Sequence, residues 1–298
     1  MENFAVIGFF VGLGMLFRRI KAFPDQSAQA FNMLALYVAL PAVILLKVPQ
    51  LQLSRDMLVP AVVPWAMLIL SAALVAGAGR MMRWSRETVG VLLLIVPIGN
   101  TAFMGVPMVE AFYGGQGLPY LIIYDQIGTI LIFALYGSVM LALYGSEGKV
   151  SAANVLRRAF FFPPTMALVA GIALRGWPYP EPLVRGLGSL GGMLTPLVMT
   201  AIGFQLRIRL SPAVMKPLGF GLAIKLVVAP LAALAGCRLL GVHGLAADVA
   251  IFEAGMPPMV TAGALAIAGG LLPELAAALV SLGMALSFIT LPLLYLII

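Results

Sequence analysis

Two apolar stretches of this chain are interrupted at their centres by polar and helix-breaking residues, where a membrane-spanning helix would be continuous. Residues 98–107 read IGNTAFMGVP, and residues 253–261 read EAGMPPMVT. Inside a bilayer, unwound backbone is tolerated only where protein covers it or where it lines a watery cavity. A pair of interrupted spans is therefore the sequence feature that points most directly to a binding site within a membrane.

Interrupted helices also indicate what kind of ligand binds. Where a helix stops and restarts, one half exposes free N–H groups with a partial positive charge, and the other exposes free carbonyl groups with a partial negative charge. We therefore expect a carboxylate at the N–H ends, with a cation as an option at the carbonyl ends. The alternative is that Gly and Pro only kink two packing helices. The candidate substrate-binding residues are Asn100, Thr101, Ala102, Gly105, Pro107, Met256, Pro257, Pro258 and Thr261.

Three ionisable residues lie inside apolar spans, where a charged side chain costs at least about 2.5–3.5 kcal/mol. They are Asp125, Lys225 and Glu253, and Asp125 is followed directly by Gln126. We predict that Glu253, Asp125 and Gln126 handle a coupling ion, either a proton or sodium, with a sodium site possible at Glu253. Lys225 either neutralises an acid or attracts an anionic substrate. The alternative is that the three charges only neutralise one another within the helix bundle.

The composition is that of a membrane protein. The 298 residues are 62% hydrophobic and 10% charged, with a mean hydropathy of +1.07, whereas soluble domains are about 25% charged. The net charge of +7 is scattered over short loops, so we do not expect a nucleic-acid partner. With one His, one Cys and no P-loop motif, the chain lacks the ingredients of a zinc site, a catalytic dyad or an ATPase, and no enzyme activity or further cofactor is predicted.

The apolar runs divide into ten predicted spans, each near the ~20 residues that cross a bilayer. They lie at about residues 3–17, 28–46, 58–79, 87–113, 118–144, 159–174, 186–205, 217–237, 244–270 and 272–297. The loops that follow the first, third, fifth and seventh of these spans hold twelve Lys and Arg residues, against five on the opposite side. This asymmetry predicts that both termini lie outside the cytoplasm.

The chain also resembles itself at an offset of 155 to 158 residues. Pro41 corresponds to Pro196, and the interruption near Asn100 corresponds to the one near Met256. Because five spans is an odd number, the second copy must enter the membrane from the opposite face. The predicted fold is therefore all-α, with two inverted five-helix repeats, residues 1–150 and 151–298, and with broken helices 4 and 9 crossing.

The motif GNTAFMGVP at residues 99–107 resembles the fourth-span signature of the auxin efflux carrier family, whose bacterial members include malate and malonate permeases. Asp125-Gln126 and Met256-Pro257 also resemble that family's pattern. The resemblance covers the whole chain and implies a fold similar to the bile-acid sodium symporters. Helices 1, 2, 6 and 7 would form a scaffold that often dimerises, and helices 3–5 and 8–10 a transport domain. The family's crossover Asn and Pro carry over onto Asn100 and Pro257.

The resemblance also informs coupling and substrate. The segment at residues 253–256 looks like the span-9 segment of the sodium-coupled relatives, where an acidic residue helps to bind the cation. The chain lacks the long cytoplasmic loop of the plant auxin carriers, so auxin is not the expected substrate.

We expect a secondary carrier of small organic anions that works by alternating access, through an elevator-like or rocking motion. It is expected as a homodimer in the lipid bilayer of the bacterial cytoplasmic membrane. The alternatives are a membrane-embedded anion sensor, a channel, and a sodium-coupled symporter of a larger amphipathic acid.

Overall fold

The computed structural model describes residues 2–50, 55–145, 157, 160–206 and 212–298, which form helices joined by short connections. No strand occurs among these residues. The main helices, in chain order, are α1 (Glu2–Phe17), α2 (Ser27–Gln50), α3 (Arg55–Met81), α4 (Arg86–Ile95), α5 (Gly105–Tyr113), α6 (Leu118–Tyr144), α7 (Pro163–Ala173), α8 (Glu181–Gln205), α9 (Pro212–Leu239), α10 (Leu245–Ala254), α11 (Val260–Ala268) and α12 (Pro273–Tyr295).

Six helices are long and apolar enough to cross a membrane, namely α2, α3, α6, α8, α9 and α12. Residues Ala5–Phe17 of α1 and the whole of α7 are shorter apolar helices. The multi-span membrane character is confirmed, whereas the count of ten spans and the inverted repeat stay predictions. The predicted repeat boundary at 150/151 and four of the cations counted above, Lys149, Arg158, Arg207 and Arg209, lie outside the described residues.

The helix bounds follow the predicted spans closely, and the largest differences are at the starts of α8 and α9. α6 has the predicted limits, whereas α8 begins at Glu181, five residues before the predicted start at residue 186. Pro182 lies in the first turn of α8, where its fixed backbone angle suits a helix and its missing N–H has no helical partner to lose. The helix can therefore start earlier than the apolar pattern alone indicates.

The helices form two compact units. Unit 1 comprises Met1–Arg55, Ala102–Ile122 and Phe160–Leu206, and unit 2 comprises Asp56–Thr101, Ile123–Ala159 and Arg207–Ile298. The chain leaves unit 2 directly after Thr101, within the first interruption, and returns to it inside α6.

Unit 1 depends on close backbone packing between α1 and α8. A Cβ atom on Gly14 would lie 2.0 Å from the carbonyl oxygen of Thr200, and one on Gly203 would lie 2.0 Å from that of Val11. Neither glycine could therefore carry a side chain without separating the two helices. Small residues at such contacts are a common way for membrane helices to gain van der Waals contact.

Unit 2 is built around α4, the helix that leads into the first interruption. Ser85 caps its N-terminus by accepting a hydrogen bond from the Thr88 N–H at 3.2 Å. The apolar residues of α4 pack in a buried cluster with α9 and α12, in which Leu92 and Leu279 are completely buried. This packing holds the end of α4, and hence the start of the interruption, in place.

Widened, π-helical turns occur once in α2, twice in α6 and once in α9. The turns in α2 and α9 each end two residues before a proline. Pro230 has no N–H to donate to the carbonyl four residues earlier, and the turn Ile224–Val228 widens so that the Ala229 N–H bonds to Ile224 O, five residues back. The same happens at Ala35–Ala39, ahead of Pro41. Such turns change the direction of the side chains they carry, and they are frequent at functional sites.

Candidate functional site

The two interruptions pair with each other inside unit 2. The Asn100 N–H donates to Pro257 O at 2.7 Å, and the Met259 N–H donates to Ile98 O at 3.0 Å. Between these bonds, Gly99 and Pro258 lie opposite each other in an isolated antiparallel bridge. Each interruption thus satisfies backbone groups that the other left without a helical partner, which an apolar environment requires.

Asp125 ties the first interruption to α6. Its two carboxylate oxygens accept hydrogen bonds from Thr101 Oγ1 and from Gln126 Nε2, each at 2.6 Å. Asp125 and Thr101 are 3% and 1% exposed. Both oxygens have a charge-assisted partner, so the Asp125 carboxylate acts as a clamp on the polypeptide next to Asn100.

The widened turn that carries Asp125, Tyr124–Thr129, is held by α3. A Cβ atom on Gly128 would lie 2.2 Å from Pro64 Cγ, so the proline ring fits directly against the glycine. Beside it, Trp65 Nε1 donates to Ile127 O at 3.2 Å. Sequence reasoning missed Pro64 and Trp65, and the signal that could have found them is a proline in the middle of a span next to an amphipathic aromatic.

Lys225 brings a positive charge to the paired interruptions. Its Nζ donates to Ala254 O, the carbonyl of the last residue of α10, at 3.0 Å. The same atom lies 3.2 Å from the position that a Cβ on Gly99 would occupy. Lys225 is 3% exposed. Its ammonium group therefore contacts one interruption and lies against the backbone of the other.

Two polar groups beside the interruptions have no hydrogen-bond partner among the residues that the structure describes. They are both carboxylate oxygens of Glu253 and the Nδ2 amide of Asn100. Glu253 is completely buried and Asn100 is 2% exposed. Asp125, of like charge, and Lys225, of opposite charge, act electrostatically on Glu253. Buried polar groups are almost always paired in proteins, so these two groups mark a place that suits a water, an ion or a ligand.

The structure brings most of the predicted site residues together in unit 2. Asn100, Thr101, Asp125, Gln126, Lys225, Glu253, Met256, Pro257 and Pro258 all belong to this unit and are all buried. Thr261 belongs to it as well, but in the first turn of α11 it is exposed. Ala102, Gly105 and Pro107 belong to unit 1, where Gly105 and Pro107 form the first turn of α5.

Among the described residues, no three of His, Cys, Asp or Glu converge in a way that could hold a metal ion. A cation at Glu253 would therefore be completed by neutral oxygens, of which the backbone carbonyls at the end of α10 are the nearest in sequence.

Comparison with known proteins gives a match over nearly the entire chain. Residues 1–295 match a family model described as membrane transport protein. An uncharacterized transporter of Methanothermobacter thermautotrophicus is 28% identical over 94% of this chain and 92% of its own length. The uncharacterized transporter MJ1031 of Methanocaldococcus jannaschii is 24% identical over 86% of this chain and 85% of its own length.

Proposed function

We propose that this chain, which belongs to the membrane transport protein family, is a secondary carrier of small organic anions. Its proposed binding site is the pair of interruptions. Membership confirms the resemblance to the auxin efflux carriers and makes the protein a membrane-embedded transporter. The family is one of transporters rather than enzymes. The substrate, the coupling ion and the mode of transport are the proposed part.

One observation carries the choice of an anion. The buried ammonium of Lys225 has three N–H donors and makes one hydrogen bond with the described residues, to Ala254 O. Next to the same interruptions, the Asn100 Nδ2 group has no partner among the described residues. A carboxylate is a double acceptor with a negative charge, and it complements a buried cation and an amide that both have donors to spare.

The contacts support a division of roles among the predicted substrate residues. The Thr101 hydroxyl donates a hydrogen bond to Asp125, so Thr101 positions the interruption. The Asn100 amide is therefore the better ligand for a substrate carboxylate. Met256, Pro257 and Pro258 form the buried wall of the second interruption. Thr261, on the exposed side of α11, and Ala102, Gly105 and Pro107 stay proposed substrate residues.

Charge balance supports a coupled cation. With Asp125, Glu253 and Lys225 all ionised, the unit 2 site has a net charge of about −1, and a monocarboxylate would make it about −2 in a buried environment. Adding a proton or a cation at Glu253 would offset this charge. Asp125 is less suited to exchange an ion because both of its oxygens already accept strong hydrogen bonds, whereas neither oxygen of Glu253 accepts one from the described part of the chain.

We further propose the architecture that the resemblance implies. The two interruptions pair antiparallel around Gly99 and Pro258, and their repeat offset supports two inverted five-helix halves in which the fourth and ninth predicted spans cross. Predicted spans 3–5 and 8–10 would form the moving domain, and predicted spans 1, 2, 6 and 7 would form the dimeric scaffold. Alternating access, the bacterial cytoplasmic membrane and outside termini belong to the same proposal.

Counterflow in proteoliposomes tests the function. Vesicles that contain the purified protein are loaded with one unlabelled acid from a panel of mono- and dicarboxylates and indole acids, and are then given the labelled acid outside. A carrier accumulates label transiently above equilibrium because the unlabelled acid leaves in exchange. Binding without uptake identifies a sensor, and uptake that only reaches equilibrium, with no overshoot, identifies a channel. Counterflow restricted to larger amphipathic acids and dependent on sodium supports the symporter alternative.

A further inference from the structure

The Lys225 ammonium contacts backbone of both interruptions. It donates to Ala254 O of the second interruption, and it lies against Gly99 of the first. Ala254 is the last residue of α10. The carbonyls of Phe252 and Glu253 accept from the Gly255 and Met256 N–H groups just after the helix, whereas Ala254 O accepts from Lys225. These carbonyls also carry the partial negative charge of the helix end.

The buried carboxylate of Glu253 is a second reason for a positive charge near the paired interruptions. Glu253, the residue before Ala254, is completely buried and has no hydrogen-bond donor among the described residues. Among the described residues, Lys225 is the positive group that acts on Glu253 electrostatically, without a hydrogen bond or salt bridge between them, whereas Asp125 adds a second negative charge. A carboxylate next to helix-end carbonyls is a typical oxygen set for a small cation such as sodium.

Two local features let a side chain from α9 reach this position. The widened turn Ile224–Val228, which forms because Pro230 cannot donate, carries Lys225. At the other end, Gly99 has no Cβ, and a Cβ there would lie within 3.2 Å of Nζ. The turn directs the lysine and the glycine makes space for its ammonium.

We propose that the Lys225 ammonium is a tethered cation that takes the place of a coupling sodium ion at the paired interruptions, so that transport by this protein does not require sodium. A second cation beside a fixed ammonium would meet direct charge repulsion in a buried site. Glu253 is then left to bind a proton. This inference rests on the proposed carrier function for its transport test, but not for its binding test.

The binding test uses thermal unfolding of the purified protein in detergent, with sodium chloride compared with potassium and choline chloride at equal ionic strength. The wild type is expected to show no sodium-specific shift. Lys225→Ala removes the ammonium group. Its unfolding midpoint should rise by about 3 °C, saturably and only with sodium, because an ion that binds only the folded state stabilises it. Lys216→Ala, an exposed lysine of the same helix, should behave as the wild type.

The outcomes separate clearly. Sodium-specific stabilisation of the wild type overturns the proposal, and so does a folded Lys225→Ala protein that responds to no cation. If Lys225→Ala does not fold, Lys225→Met keeps the length and apolar stem of the side chain, and the wild-type response decides the proposal by itself.

The transport test compares counterflow with and without sodium. Wild-type exchange should be equal in both media, Lys225→Ala should lose at least tenfold, and added sodium or methylammonium should restore part of that loss. Wild-type exchange that requires sodium contradicts the proposal. If the wild type exchanges no organic anion at all, the carrier function fails, while the unfolding measurement still decides the role of Lys225.

Discussion

The Thr101 hydroxyl donates a hydrogen bond to Asp125 Oδ1 at 2.6 Å, and this bond joins the first interruption to the widened turn Tyr124–Thr129 of α6. The two residues are 24 positions apart in the chain, and both are buried. The bond leaves Thr101 directly beside Asn100, whose amide has no partner among the described residues. Asp125 is thus a positioning residue for the site.

Replacing Thr101 by Val should destabilise the protein and weaken transport. The substitution keeps the shape but removes the donor to a buried carboxylate, which costs about 1–3 kcal/mol. We expect a lower thermal unfolding midpoint and a several-fold loss of counterflow, with both restored in Thr101→Ser. A Thr101→Val protein that unfolds and transports as the wild type does would show that the bond positions nothing.

Replacing Glu253 by Gln should uncouple transport from the proton gradient. The amide cannot exchange a proton, yet it keeps nearly the same volume in a completely buried position. We expect exchange to persist while a pH gradient no longer drives accumulation. Glu274→Gln, an exposed acid of α12, is the matched control. Accumulation by Glu253→Gln that responds to the gradient as strongly as the wild type would remove Glu253 from the coupling role.

Replacing Gly99 by Ala tests the space that the Lys225 ammonium occupies. The added Cβ would lie 3.2 Å from Nζ and 3.3 Å from Thr101 Cγ2, so both neighbours must shift slightly. We expect a several-fold rise in the half-saturating substrate concentration with little change in unfolding temperature. Gly219→Ala on α9, where a Cβ meets nothing within 4 Å, should have no effect. An unchanged half-saturating concentration in Gly99→Ala would argue against this packing.

The two helix breaks could be predicted from sequence, because Gly and Pro in the middle of apolar spans favour the end of a helix. The pairing of Asn100 with Pro257 could only be inferred from the repeat offset, since the two residues are far apart in the chain. The direction of Lys225 was not predictable. It depends on the widened turn before Pro230, which shifts the helical period locally.

The roles of the two acids were also beyond the sequence. Asp125 and Glu253 look alike as single carboxylates in apolar spans, and only the hydrogen bonds distinguish a clamp from an unpartnered group. The exposure of Thr261 could not be predicted from the sequence either. It lies only three residues after Pro258, but α11 begins at Val260 and turns the threonine to an exposed face.

The fold makes a separate prediction in unit 1. Gly14→Ala would place a Cβ 2.0 Å from Thr200 O, a backbone atom that cannot move without shifting α8. We expect a large fall in the unfolding midpoint and in the yield of monodisperse protein. Gly12→Ala on the same helix, where a Cβ meets nothing within 4 Å, should retain both. If the two variants are equally stable, α1 and α8 do not pack as closely as described.

The most direct measurement of the central proposal is counterflow of a labelled organic anion by Asn100→Ala. This change removes the unpartnered amide at the paired interruptions and leaves the backbone bond from Asn100 to Pro257 available. Asn32→Ala, the same change on α2 in unit 1, is the control. The expected result is normal expression of both variants, abolished counterflow in Asn100→Ala and wild-type counterflow in Asn32→Ala. Unchanged counterflow in Asn100→Ala would contradict a binding site at the paired interruptions.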